Sequence, residues 1–196
     1  MQYAIHTATG ATTGPTEEPV AVAELRQQCS IGHTSDDLWL YRMGVAAREL
    51  VELETERSLL TATYTLTLDA FPDVIEIRKA PLASVTSVAY IDTAGASQSL
   101  TEGTHFDVDT SSAMGRITPT YATSWPSTRA TPNAVTVVYV AGDTAPENVQ
   151  ERAKHAIATL VSHWYNSREA GLPVAVTEVP LLYQALIDSL KWRQGM

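Results

Sequence analysis

The order of hydrophobic periods constrains this chain more than any single motif: helical periodicity, then a long run of period-two segments, then helical periodicity again. From Asp36 to about Arg57, the residues Trp39, Met43, Ala46, Leu50 and Leu53 recur at spacings of three and four, which puts them on one face of a long helix. Leu38, Tyr41 and Val45 widen that face, and Glu49, Glu52, Glu54 and Glu56 with Arg48 and Arg57 read as its solvated side. The period changes at Leu60. Thr61–Leu68 alternates threonines with Ala62, Tyr64, Leu66 and Leu68, the pattern of a half-buried strand. Further strands are expected at Val74–Ile77, Val85–Ile91, Ser97–Leu100, Phe106–Asp109, Gly115–Thr118 and Ala134–Ala141, separated by turn formers such as Asp92-Thr-Ala-Gly95. Pro119, Pro126 and Pro132 mark an irregular stretch before the last strand, with Trp125 placed to cover the sheet edge.

Helix starts are also legible. Pro19 introduces a short helix over Val22–Gln28, and Thr34-Ser-Asp-Asp37 offers capping oxygens and negative charge to the first turn of the long one. Thr144 and Glu147 form a capping-box pair that opens a third helix, with Val149, Ala153, Ala156, Ile157, Leu160 and Trp164 on one stripe. After a break at Gly171-Leu-Pro173, a last helix begins near Val179 or Pro180, its stripe formed by Val179, Leu182, Tyr183, Leu186, Ile187 and Leu190. The fold class that follows is α+β, helical segments flanking a β-rich antiparallel insertion between the second and third main helices. In domain terms, residues 1–18 form a flexible N-terminal arm, 19–60 and 144–170 the helical core, 61–143 the insertion and 171–196 a C-terminal helix or tail.

Composition narrows the function. With 196 residues and 44% apolar content the chain can bury a real core, and no apolar run approaches the roughly 18–20 residues of a membrane helix. The opening Met1-Gln-Tyr-Ala-Ile-His6 lacks the basic and apolar regions of a secretory signal, so a soluble intracellular protein with no membrane partner is expected. The net charge is −9, and residues 146–196 carry five charges of each sign, so the acidic excess lies upstream. A surface of that sign repels phosphates and argues against tight nucleic-acid binding.

No reacting centre stands out. Cys29 is the sole cysteine, which excludes an intrachain disulfide and a cysteine metal cluster; it reads as a small hydrophobe near a helix end. The histidines at 6, 33, 105, 155 and 163 are dispersed, and His155 and His163 lie two turns apart, too far to share one metal. Asp107 and Asp109 alternate on a strand and Asp36-Asp37 form a second acidic pair, but the first reads as a polar strand face and the second as a helix start. The nucleophile-elbow, P-loop and dinucleotide-binding glycine motifs are absent. No catalytic residue, cofactor or metal is expected. Trp125, Trp164, Tyr165 and Trp192 are candidate interface anchors, and Trp192, flanked by Lys191 and Arg193 near the end of the chain, has least of its own fold to pack on.

Seven phrases, taken in order, resemble the head-tail connector (adaptor, head-completion) proteins of tailed bacteriophages. They are Pro19-Val-Ala-Val-Ala-Glu-Leu25, Ala46-Ala-Arg-Glu-Leu-Val-Glu52, Leu66-Thr-Leu-Asp-Ala-Phe-Pro72, Pro81-Leu-Ala-Ser-Val-Thr-Ser-Val88, Trp125-Pro126, Val138-Tyr-Val-Ala-Gly142 and His163-Trp-Tyr-Asn-Ser-Arg-Glu169. The resemblance runs from about residue 19 to 170. It implies a small helical bundle with a β-rich insertion, in a virion protein, assembled in the host cytoplasm, that forms a homo-oligomeric ring, usually twelve-fold, in the neck. Such a ring sits below the portal protein and extends the channel through which double-stranded DNA passes without specific binding. It presents a platform to the next neck or tail protein, a stopper or tail terminator. In such families the C-terminal segment docks on the portal, which here implies Leu182, Tyr183, Leu186, Ile187, Leu190, Trp192 and Arg193 as the portal or neighbour interface. The alternatives are another neck or tail-completion protein, or a soluble protein-binding module.

Overall fold

The computed structural model describes residues 7–8, 13–112, 114–167 and 181–191. They fall into two compact units. One takes residues up to Pro15 together with Thr61–Gly142; the other takes Thr16–Leu60 and the described residues from Asp143 onward. Each has its own hydrophobic cluster, helical in one unit and β in the other.

The helical unit holds α1 (Val22–Gln28), α2 (Asp37–Thr55), α3 (Glu151–Ser167) and α4 (Leu181–Leu190), with a short 3₁₀ turn at Pro146–Asn148. Its core is Leu25 from α1, Leu40, Met43, Ala47 and Val51 from α2, Ala153, Ala156, Ile157, Leu160 and Val161 from α3, and Tyr183, Ile187 and Leu190 from α4. The face of α2 that enters this core is rotated from the expected stripe: Met43 is buried and Leu50 packs at the margin as expected, but Ala46 is exposed. Leu40, Met43, Gly44, Ala47 and Val51 are buried, whereas Trp39 and Leu53 are exposed. The reason is close approach: Gly44 faces Leu25 of α1, whose Cδ1 would lie 3.1 Å from a Cβ added there, so α1 settles on the small-residue side.

The expected solvated side of α2 is corrected too. Arg48 and Glu52 are buried, Arg48 donating to Glu52 at 2.8 Å and to Glu18 at 2.9 Å, while Glu52 also accepts from the Leu59 amide at 2.8 Å. Asp36 and Asp37 do not cap the helix by side chain; Asp36 accepts from the Tyr165 hydroxyl at 2.6 Å and Asp37 pairs with Arg26 at 3.0 Å. The Thr144–Glu147 capping box is likewise replaced. Thr144 accepts from Asn148, and extended backbone at Val149 buries that side chain in the core, so α3 starts only at Glu151. The stripe along α3 is as expected.

The β unit contains β1 (Thr7–Ala8), β2 (Ala62–Leu68), β3 (Ile75–Ile77), β4 (Leu82–Ile91), β5 (Ser97–Leu100), β6 (Phe106–Asp109), β7 (Gly115–Pro119) and β8 (Val135–Ala141). All pairings between these strands are antiparallel, in a five-stranded sheet ordered β1-β2-β8-β4-β5 and a three-stranded sheet ordered β3-β7-β6. Alternation sets the register. Tyr64, Leu66 and Leu68 of β2 lie opposite Tyr139, Val137 and Val135 of β8, all buried, while Thr63, Thr65 and Thr67 turn to the other face. Described residues of the expected N-terminal arm do not stand free: Thr7 and Ala8 pair with Thr67 and Leu66, and Thr13 bridges to Thr63.

Candidate functional site

The expected chemistry can be placed residue by residue. Asp109 ends β6 and is enclosed by donors, accepting from the Ser111 and Ser112 hydroxyls at 2.6 Å each and from Arg116 at 2.7 Å. Those hydroxyls first, then the guanidinium, hold its carboxyl well below the usual range, so it is a fixed anion and a poor proton acceptor. Asp107 is exposed on the same strand, and His105 uses Nδ1 to accept from the Thr101 amide at 3.1 Å. Among the described residues no group of His, Cys, Asp and Glu could hold a metal. Cys29 closes α1, half-buried against the helical core, and burial pushes its thiol up, against the thiolate a nucleophile requires.

Aromatic anchors divide in the same way. Trp125 stacks on Phe71, ring centroids 4.6 Å apart and 5° from parallel, and its indole N–H donates to the Asp73 carbonyl. It is therefore part of the β unit's own packing, set with Phe71 against the β core. Trp164 and Tyr165 pack at the margin of the helical core.

The C-terminal candidates lie on or just beyond α4. Tyr183, Ile187 and Leu190 are buried in the helical core and Leu186 is packed at its margin, whereas Leu182 is half-exposed and Leu181 is 88% exposed. Trp192 and Arg193 lie outside the described residues. Two cations hold the end of the helix. Arg57 donates to the Leu190 carbonyl at 2.9 Å and Arg152 to that of Ser189 at 3.3 Å, which satisfies terminal acceptors and opposes the negative end of the helix dipole. Burial and then the nearby Arg152 charge lower the Arg57 pKa, with Asp143 acting the other way. Tyr183 donates to Glu54 at 3.0 Å, fixing the middle of α4 to α2. These tertiary partners come from Glu54, Arg57 and Arg152, and the apolar spacing along α4 carried no sign of them.

Where α4 offers anything to a partner, it is through Leu181, Leu182 and the polar residues between the core positions. Among the described residues no helix is long and apolar enough to cross a membrane.

No protein-family model matches the chain, and no curated protein does. Solved structures do. A chain from the neck of an empty gene transfer agent (GTA) particle, computed with C6 symmetry, has a TM-score of 0.77 at 22% identity, over 95% of this chain and 96% of that one. A chain from the virion of a native GTA particle has a TM-score of 0.75 at 22% identity, covering 97% of both. One from the neck of a native GTA particle computed with C12 symmetry gives 0.71 at 20%, over 96% of this chain and 98% of that one. At this level of identity the likeness is one of fold, and it runs through both units.

Proposed function

We propose that this chain is a structural, non-catalytic neck component of a phage-like virion, a head-tail connector that assembles as a ring below the portal. The observation that carries this reading is the fold shared with chains from GTA particle necks over nearly the whole of both chains, helical unit and β unit alike. The residues agree with it. Asp107, Asp109, Cys29 and the histidines are each spoken for by local structure or dispersed, and the buried polar atoms of α2 serve the fold.

In this reading double-stranded DNA passes through the ring without being gripped. A net charge of −9 suits such a wall, because like charge keeps phosphates from forming the cation contacts on which non-specific affinity rests. The portal contact falls to the C-terminal segment: Leu181 and Leu182 present apolar surface beside a helix end that Arg57 and Arg152 hold in place, and Trp192 and Arg193 follow in sequence. The stopper or tail terminator docks on the far side of the ring. Imaging the neck of particles that carry the chain tests this. Copies in a ring at the DNA exit of the head support it; a single copy, or density on the shell or distal tail, overturns it.

A further inference from the structure

Among the described residues β5 ends the five-stranded sheet, and its outer edge is open over two residues. The Asp92 amide donates to the Ala96 carbonyl at 2.9 Å, which fixes the alternation that follows: Gln98 and Leu100 exchange bonds with Tyr90 and Val88 of β4, while Ser97 and Ser99 turn N–H and C=O away from the sheet. The next such position, Thr101, is closed by its own chain, its amide donating to His105 Nδ1 and its carbonyl accepting from the Thr104 and His105 amides. Beside the open edge runs a groove of about 290 Å³, lined by Tyr90, Leu100 and Pro126 with Thr104, His105 and Ser124, and no Asp, Glu, Lys or Arg borders it. Such an edge is a template for an added strand, every second side chain of which would enter the groove. The opposite end of the same sheet takes a strand of this kind, Thr7 and Ala8 pairing with β2. Other outer strands carry charge, Glu76 in β3 and Asp107 and Asp109 in β6.

We infer that β5 receives residues 174–179 of a second copy of the chain as an added strand. The inference rests on the ring reading above and names the contact that joins neighbours. Val174, Ala175, Val176, Thr177, Glu178 and Val179 lie outside the described residues; in sequence four of the six are β-branched, and Pro173 and Pro180 bound them as strand-ending residues do. Ala175, Thr177 and Val179 share one parity, small and uncharged, which matches the neutral groove, and the other parity sends Glu178 to the opposite side. A cyclic ring asks for this kind of pair, a donor on one subunit against a different acceptor on the next. Donor and acceptor also belong to different units. The segment follows α3 at the end where Tyr165 meets Asp36, the start of α2, and α2 leads to the β unit only from its other end. In the β unit, β5 pairs with Val88–Ile91, the half of β4 away from Leu82, whose partner Ala141 leads back to the helices.

Sedimentation velocity of the full chain, alone and with the portal protein of its particle, together with cross-linking of the assembled material, tests the inference. Ser99→Pro removes an N–H that faces the open edge and none that β4 uses, so it is expected to keep the thermal melt of the monomer and to raise the concentration needed for assembly by roughly tenfold or more. Val176→Pro is expected to do the same from the other side of the contact, and it carries the test should Ser99→Pro fail to fold. Ser99→Ala keeps the backbone and is expected to assemble as the unaltered chain does. In a Cys29→Ala background, chains with Ser99→Cys mixed with chains with Val176→Cys are expected to be joined by a bismaleimide in the assembled rings. Assembly of the proline variants at the unaltered concentration, with no cross-link between the mixed chains, overturns the inference and leaves the ring reading standing. A cross-link that forms only within a chain carrying both substitutions assigns the segment to its own sheet and overturns it as well. An unaltered chain that stays monomeric both alone and on the portal removes the ring reading together with the inference.

Discussion

Arg48 is the residue on which most of the helical unit's polar interior converges. Its side chain is 8% exposed and touches Glu18 and Glu52, whose side chains are 15% and 11% exposed. Removing the cation leaves two carboxylates in a site with little water, and Glu52 is still committed to the Leu59 amide. Arg48→Ala is therefore expected to cost about 3–5 kcal/mol in urea unfolding, far more than the exposed Glu49→Ala, which stays within about 0.5 kcal/mol. Asp109 offers a pH test. Its carboxyl is held below the ordinary range by Ser111, Ser112 and Arg116, so its contribution is present above the unfolded pKa and is lost as pH falls toward the folded one. Asp109→Asn should lower the melting temperature at neutral pH, and its deficit should shrink between about pH 4 and pH 2. A deficit that stays constant over that range would mean that the charge is not what the hydroxyls stabilise.

At the scale of elements, α4 is a core helix on one side and open on the other. Ile187 is fully buried among α2 and α3, so Ile187→Ala is expected to cost about 2–5 kcal/mol of stability. Leu182→Ala should change monomer stability by less than about 0.5 kcal/mol, and a comparison of the two by thermal melts separates fold from surface on one helix. The strands were legible because alternation is a local signal: each threonine between Ala62 and Leu68 states which face its neighbours occupy. β5 and β6 have the bounds expected, and the other expected strands differ by at most a few residues. The phase of α2 was not legible. Apolar residues lie on both sides of that helix, and the choice between them was made by Gly44, small enough to admit Leu25, and by the burial of Arg48 with Glu52, which a reading by polarity sends to solvent. The start of α3 was misplaced for a related reason: the Thr144–Glu147 spacing has the form of a cap, but burial of Val149 intervenes. Of the candidate interface, the stripe on α4 was visible and its division into buried and exposed halves was not, since that depends on partners such as Glu54 and Arg57, more than 120 residues away.

For the whole molecule, Thr61–Gly142 interrupts the helical unit in sequence, and the two ends of that unit at Leu60 and Asp143 are held side by side by a parallel bridge and by the Asp143 amide donating to the Leu59 carbonyl. The amide of the same Leu59 donates to Glu52, so the network around Arg48 also fixes where the chain leaves the helices. The described residues offer two compact units, and exposed apolar side chains on α2 and α4 that the helical core leaves uncovered, in a chain of acidic balance. The proposed function requires that copies of this chain close into a ring in the neck of a phage-like particle. Cryo-electron reconstruction of that neck is the most direct test. A ring of copies between portal and tail with DNA on the axis is expected; a neck in which this chain is absent, or present as a single copy off the axis, would contradict it.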